Sequence, residues 1–177
     1  ERFVLRIPDN LDLAGAAPLL CAGITTYSPM RHWGVTKGKK VGIVGAGFMG
    51  ASIGYVTAKA GISVVLIDRD QEAADKGKAI SADLITKDMQ KGRATQADKD
   101  TLLGLIEATP DYDKLADCDL VIEAVFEDRD VKRVVTEKVE AAIKSTAIMA
   151  SNTSTLPITG LAKVSKRPKN FIGIHFF

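Results

Sequence analysis

Short apolar runs rich in β-branched residues alternate along the chain with longer stretches of mixed polar and apolar residues. Each run is nearly continuous in apolar residues, which is typical of strands that are buried on both faces of a sheet. The predicted strands are 41–45, 62–67, 105–109 (the weakest), 119–125, 146–151 and 171–175. The stretches between them predict helices at 48–60, 70–91, 96–104, 129–143 and about 157–164. Strands that alternate with helices indicate an α/β fold with a parallel sheet and right-handed crossovers.

The first part of the chain does not follow this alternation. Residues 3–7 could form a strand, and the Ala- and Leu-rich segment that follows is predicted to be helical in part, although Pro18 and Pro29 limit its regularity. The sequence therefore predicts two parts. Residues 1–38 form a partly helical appendage, and residues 39–177 form the α/β domain.

Composition narrows the class of protein without changing this fold. A chain of 177 residues with 46% hydrophobic and 26% charged residues is ordinary for one globular domain with a buried core. The net charge of +2 gives no reason to expect a nucleic-acid partner. No apolar run approaches the roughly 18 residues of a membrane span, and the N-terminus does not have the pattern of a signal peptide.

The two cysteines, Cys21 and Cys118, form no CxxC pair. This usage is typical of a reduced, cytoplasmic protein. Each cysteine can be explained as a small buried hydrophobic residue, and no metal site is predicted.

A glycine-rich motif, G-x-G-x-x-G, follows the first strong strand and begins a helix. Gly45 permits a tight turn, Gly47 lets the backbone approach a pyrophosphate, and Gly50 lets the helix pack closely on the strand. The helix N-terminus adds unpaired N–H groups and a positive dipole end. The pattern predicts a Rossmann-type, doubly wound parallel sheet, against the alternative of three glycines in an ordinary strand–helix turn.

An acidic residue follows at the end of the next predicted strand. Asp68 lies 23 residues after Gly45, where a carboxylate can accept hydrogen bonds from the hydroxyls of an adenine ribose. Its negative charge disfavours a 2′-phosphate. The predicted cofactor is therefore NAD rather than NADP.

From Lys40 onward, four motifs in order resemble the NAD-binding domain of the 3-hydroxyacyl-CoA dehydrogenases of fatty-acid β-oxidation. They are similar above all to the form found in bacterial multifunctional β-oxidation proteins. The matching motifs are GAGFMG (45–50), DLVIEAVFED (119–128), ASNTSTLPI (150–158) and FIGIHFF (171–177). The resemblance implies oxidation of a 3-hydroxyacyl-CoA to a 3-oxoacyl-CoA, with acetoacetyl-CoA as a substrate of the reverse reaction.

The resemblance also implies roles for individual residues. His175 matches the catalytic histidine, which takes the proton of the 3-hydroxyl, and Ser154 matches the serine that hydrogen-bonds the substrate oxygen. The other matching residues are expected to contact the cofactor. They are Gly45, Gly47, Phe48, Met49, Gly50 and Asp68 at the adenosine and pyrophosphate end, and Glu127, Lys132 and Asn152 at the nicotinamide end.

Each of these roles has a simpler alternative. His175 could be an ordinary histidine at the end of a strand, and Ser154 and Asn152 could cap the following helix. Glu127 and Lys132 could be solvated charges at a helix start. Their joint position at the carboxyl ends of successive strands favours a binding role, because ligands of open α/β sheets bind at that edge.

In the resembled family the HFF motif continues beyond the position of Phe177. A strand follows whose glutamate orients the histidine, and then a helical domain that closes over the acyl-CoA and supplies a dimer interface. Because this chain ends at Phe177, we expect NAD binding without efficient turnover, and an apolar sheet edge that could support a homo-oligomer.

The first 38 residues resemble a different family, the zinc-dependent alcohol dehydrogenases of the cinnamyl-alcohol type. The match implies that Cys21 corresponds to a zinc ligand, but the other ligands of that family are absent, and His32 lies in a segment that supplies none. The two resemblances meet at the first strong strand. They suggest a chimera, and they leave an engineered Rossmann scaffold and, less favoured, a zinc alcohol dehydrogenase fragment as alternative functions.

Overall fold

A single sheet of six parallel strands organises the computed structural model, which describes residues 38–176. The strands are β1 (Lys40–Val44), β2 (Ser63–Ile67), β3 (Ile106–Thr109), β4 (Leu120–Glu123), β5 (Ile148–Asn152) and β6 (Phe171–Ile174). Their order across the sheet is β3-β2-β1-β4-β5-β6, and every neighbouring pair is parallel. This is the order of the doubly wound dinucleotide-binding sheet, so the predicted fold class is confirmed.

Five α-helices lie between the strands, close to the predicted positions. They are α1 (Phe48–Lys59), α2 (Gln71–Gln90), α3 (Gln96–Gly104), α4 (Arg129–Ala142) and α5 (Ile158–Ala162). Three of them begin at capped residues, because the side chains of Asp70, Thr95 and Asp128 accept backbone N–H groups of the first turn. Two 3₁₀ turns, Tyr112–Leu115 and Pro168–Asn170, were not predicted. Within residues 38–176, no helix is both long and apolar enough to cross a membrane.

The strands are apolar throughout because both faces of the sheet are covered. On β2, Val64 and Leu66 pack in one cluster with residues of α1, α2 and α3, whereas Val65 and Ile67 pack in the opposite cluster with residues of α4. All four side chains are buried. Their alternation between two buried clusters explains the continuous apolar run in the sequence.

Cys118 lies under the sheet beside β1 and is fully buried. Burial raises the pKa of its thiol to about 11. The interpretation of Cys118 as a small buried hydrophobic residue is confirmed, whereas Cys21 and the whole predicted appendage up to residue 37 lie outside the described residues.

The strand order creates a crevice at the carboxyl edge of the sheet. The chain leaves β1 in one direction to β2 and β3, and it returns to the other side of β1 with β4. The connections that follow β1 and β4 therefore run in opposite directions. A ligand of an open α/β sheet binds at such a point, and this is where the predicted site residues meet.

Candidate functional site

The turn after β1 is closed by two glycines. Gly45 has φ +100°, a conformation that favours glycine, and its N–H donates to the Ile67 carbonyl oxygen at an N···O distance of 2.8 Å. A Cβ at Gly45 would lie 2.6 Å from the carbonyl oxygen of Ala124, and a Cβ at Gly50 would lie 1.8 Å from the carbonyl oxygen of Gly45. Both positions therefore exclude a side chain for reasons of packing.

The second glycine of the motif is different. Gly47 precedes α1, and no atom lies within 4 Å of the position where its Cβ would be. Next to it, Phe48 is 76% exposed, whereas Met49 packs partly against the core. The open space at the N-terminus of α1 fits a pyrophosphate that approaches the backbone closely, which is the predicted role of Gly47.

Asp68 and α2 both contact the turn after β1. The Asp68 carboxylate accepts the N–H groups of Ala46 and Arg69, each at 2.7 Å. On α2, a Cβ at Gly77 would lie 2.5 Å from the Ala46 Cβ and 2.6 Å from the Ala46 oxygen. The contact of Gly77 with this turn was not predicted, although a glycine inside a helical pattern indicates close packing.

We predict that alanine at Gly47 and alanine at Gly50 have different effects. Gly47→Ala should leave the free energy of unfolding within about 1 kcal/mol of the parent chain and weaken NADH binding about tenfold or more, because the methyl group occupies only the space of the pyrophosphate. Gly50→Ala should destabilise the fold itself, because its methyl group meets backbone. Urea unfolding and NADH titration measure the two quantities. Equal loss of stability in both variants would contradict the prediction.

A cavity of about 790 Å³ extends from this turn along the crevice. Its lining includes Gly45, Asp68, Val125, Phe126 and Val135. Its volume lies within the ordinary range of small-molecule and cofactor sites. The predicted adenosine end of the site is therefore a real concavity.

Tyr112 and Lys138 also line this cavity and were not predicted. The Lys138 ammonium lies 5.6 Å from the centre of the Tyr112 ring. Burial, and then the negative charge of Asp68, raise the pKa of the Tyr112 hydroxyl. Tyr112 belongs to the 3₁₀ turn after β3, and no motif in that part of the sequence indicated a contact with the crevice.

Glu127 lies in the loop after β4. Its carboxylate joins this loop to the turn after β5 through hydrogen bonds. Its Oε1 atom accepts the N–H groups of Ser154 and Thr155, each at 3.0 Å, and the hydroxyls of Thr153 and Thr155. Partial burial would raise the pKa of Glu127, but these hydrogen bonds and the charge of Lys132 outweigh it and lower the pKa to about 2. Glu127 therefore stays ionised near neutral pH and fixes the turn that carries Ser154.

Lys132 is buried rather than solvated, with an exposed fraction of 1%. Its ammonium donates to both carboxylate oxygens of Glu123, at 2.9 and 3.0 Å, and lies 3.4 Å from Glu127 Oε2. Burial raises the pKa of Glu123, against the lowering effect of hydrogen bonds from Ser151 and Lys132. The alternative that Lys132 is a surface charge at a helix start is wrong.

Asn152 ends β5, and His175 directly follows the neighbouring strand β6. The Asn152 Oδ1 atom accepts the N–H of Phe176 at 2.9 Å, and this contact ties the residue next to the half-buried His175 to β5. Neither Asn152 nor Ser154 caps α5, which follows Pro157 without a side-chain cap. The alternative role as helix caps is therefore wrong for both residues.

The predicted residues therefore lie at the carboxyl edge of the sheet. They also have hydrogen-bond and ion-pair partners that the motifs did not indicate. Thr153 and Thr155 hold Glu127, and Glu123 holds Lys132. The signal for Glu123 was a charged residue inside the apolar run of β4. Within residues 38–176, no group of three or more His, Cys, Asp or Glu side chains is placed to hold a metal ion.

Comparison with known proteins finds relatives over this domain. Residues 40–177 match the family model described as 3-hydroxyacyl-CoA dehydrogenase, NAD binding domain. A probable 3-hydroxybutyryl-CoA dehydrogenase of Deinococcus radiodurans is 44% identical over 137 residues, which are 77% of this chain and 49% of that protein. The fatty acid oxidation complex subunit alpha of Psychrobacter cryohalolentis is 42% identical over 135 residues, 76% of this chain and 19% of that protein.

A solved structure gives the same relationship in three dimensions. The crystal structure of (S)-3-hydroxybutyryl-CoA dehydrogenase from Ralstonia eutropha is similar with a TM-score of 0.77 and 40% sequence identity. The likeness covers 78% of this chain and 49% of that one. The chain therefore spans about half the length, or less, of these relatives.

Proposed function

The chain belongs to the family of NAD-binding domains of 3-hydroxyacyl-CoA dehydrogenases, and from that premise we propose that it serves the oxidation of a 3-hydroxyacyl-CoA to a 3-oxoacyl-CoA. Its cofactor is NAD. One observation carries the proposal. At the carboxyl edge of one sheet lie a turn with open space for a pyrophosphate after β1, Ser154 in the turn after β5, and His175 directly after β6.

The residues present fit NAD along the whole crevice. Asp68 would accept the hydroxyls of the adenine ribose, and the turn from Gly45 to Gly50 would bind the pyrophosphate through backbone N–H groups. Glu127 and Lys132 would contact the ribose on the nicotinamide side. When bound, NAD supplies the acceptor for the hydride that leaves C3 of the substrate.

The chain's own residues would move the proton. His175 follows β6 directly and would take the proton of the 3-hydroxyl group, because an imidazole can act as a general base near neutral pH. Ser154 is exposed on a turn held by Glu127 and would donate a hydrogen bond to the same substrate oxygen. Asn152 supports this arrangement through its hydrogen bond to the N–H of Phe176.

The test of the proposal is cofactor and substrate binding to the whole chain. We expect saturable NADH binding in a fluorescence titration and binding of NADPH about tenfold weaker or more, because the Asp68 carboxylate repels a 2′-phosphate. Acetoacetyl-CoA should oxidise bound NADH only slowly, because efficient turnover is not expected of this chain, whereas acetoacetate without CoA should not oxidise it. If no saturable NADH binding appears below about millimolar concentration, the proposal is wrong.

A chimeric scaffold without turnover remains a separate hypothesis. It rests on the sequence of residues 1–38 alone, which lie before the family match and, up to residue 37, outside the described residues. Intact-mass measurement tests whether that segment is present as printed. Zinc bound stoichiometrically and required for activity would favour the alcohol dehydrogenase alternative. A cytoplasmic location and a homo-oligomer also stay predictions.

A further inference from the structure

A buried ion pair lies directly beneath the proposed nicotinamide end of the site. Glu123 ends β4 and has no exposed surface, and Lys132 on α4 is 1% exposed. The two N···O distances between them are 2.9 and 3.0 Å. Both side chains are almost completely shielded from solvent, so each depends on the other for its charge compensation.

Glu123 has further partners that fix its carboxylate in one orientation. The Ser151 hydroxyl donates to Oε1, and the N–H of Val125 donates to Oε2 at 3.2 Å. These contacts come from β5 and from the loop after β4. The carboxylate is therefore held on three sides before any contact with a ligand is considered.

The Lys132 ammonium extends this network toward the surface. It donates to the Asn152 carbonyl oxygen at 3.2 Å and lies 3.4 Å from Glu127 Oε2. A lysine side chain has many rotamers of similar energy, and a fixed carboxylate selects one of them. Glu123 thereby determines where the ammonium stands relative to Glu127 and to the end of β5.

We propose that Glu123 is a positioning residue for the nicotinamide half of the cofactor, acting through Lys132 on Glu127 and on the turn that carries Ser154. The inference rests on the proposed roles of Glu127 and Lys132 at the nicotinamide-side ribose. Glu123 itself touches no ligand, because it is sealed beneath Lys132 and Ser151.

The effect should be confined to one half of the cofactor. The side-chain partners of Glu123 lie on β5 and α4, whereas the adenosine and pyrophosphate end is formed by Asp68 and the turn after β1. NADH contains both halves, and ADP contains only the adenosine and two phosphates. The ratio of their dissociation constants therefore separates a positioning role from a general loss of structure.

The experiment titrates NADH and ADP against the whole chain and two variants of Glu123. Glu123→Gln keeps the shape and removes the charge, and Glu123→Asp keeps the charge and shortens the reach. We expect each variant to weaken NADH binding about tenfold and to change ADP binding by less than about twofold. Glu140→Gln is the matched control, because Glu140 lies on α4 but binds Ser165 and the N–H of Lys166, so neither ligand should be affected.

Equal weakening of NADH and ADP would overturn the proposal, and so would unchanged NADH binding. If Glu123→Gln does not fold, the Asp variant decides by the same ratio. Glu127→Gln tests the premise separately, since it should weaken NADH alone. If Glu127→Gln binds NADH normally, the proposed site assignment fails together with the inference. If Glu127→Gln weakens NADH binding and the Glu123 variants do not, the inference alone fails.

Discussion

Lys132→Met is expected to lower the free energy of unfolding by about 3–5 kcal/mol, because it leaves the Glu123 carboxylate buried without its counter-charge. Methionine retains the apolar stem of the lysine, so little packing is lost. Domains of this size are stable by about 5–15 kcal/mol, so the expected loss is a large part of the total. The variant should unfold at a much lower urea concentration than the parent chain.

The measurement is urea unfolding at neutral pH, with the slope of the transition compared between variants. The double variant Glu123→Leu with Lys132→Met should recover most of the lost stability, because both buried charges are then absent. Lys138→Met is the control on the same helix, since Lys138 is exposed and contacts only the ring of Tyr112 among the interactions described. A single Lys132 variant as stable as the parent would contradict the prediction.

The chain is expected to oxidise NADH only slowly with acetoacetyl-CoA, and His175→Ala is expected to lower this slow rate about tenfold or more, because a general acid or base usually contributes about 10²–10⁴-fold. NADH affinity should change by less than about twofold, because His175 lies at the end of β6, away from the residues proposed to bind the adenosine and pyrophosphate. The loss should therefore appear in kcat rather than in cofactor binding.

The rate is measured by loss of NADH absorbance at saturating cofactor, and NADH binding is measured in the same preparation. Lys169→Ala serves as a control, because Lys169 is exposed in the 3₁₀ turn before β6 and takes no part in the proposed site. A rate that His175→Ala leaves intact would remove His175 from the mechanism. A parallel loss of NADH binding would assign it a structural role.

The strands and helices were predictable because their signals are local. Each apolar run and each capped helix start lies within one short window, and the observed bounds follow the predicted ones closely. The strand predicted at 119–125 ends earlier, at Glu123, because the N–H of Val125 bonds to the Glu123 side chain instead of a neighbouring strand. Backbone hydrogen bonds to side chains are not visible in an apolar pattern.

Only part of the candidate site was predictable in this way. The glycine turn and Asp68 were found because their spacing along the chain is itself the signal, and the structure brings Asp68 onto the turn. The contacts of Glu127 with Thr153 and Thr155 join residues 26 to 28 positions apart. No local pattern reports such contacts, so sequence motifs identified the residues but not what holds them.

The burial of Lys132 was also not predicted from its local sequence. Its position in the first turn of a helix resembles that of many solvated charges, and only the fold brings it against Glu123 from the neighbouring strand. The acidic residue within a buried strand was the available clue. A charge in such a run requires a partner, and the basic residues in the first turn of the following helix, Arg129 and Lys132, are the candidates.

The bracing of the glycine turn has a kinetic consequence. Ile67, Asp68 and Gly77 hold its backbone in place through contacts within the domain. The turn is therefore ordered during folding, and little conformational entropy remains to be lost when a ligand arrives. Ligands that share this turn should associate at similar rates, and their differences in affinity should lie in how long each one stays.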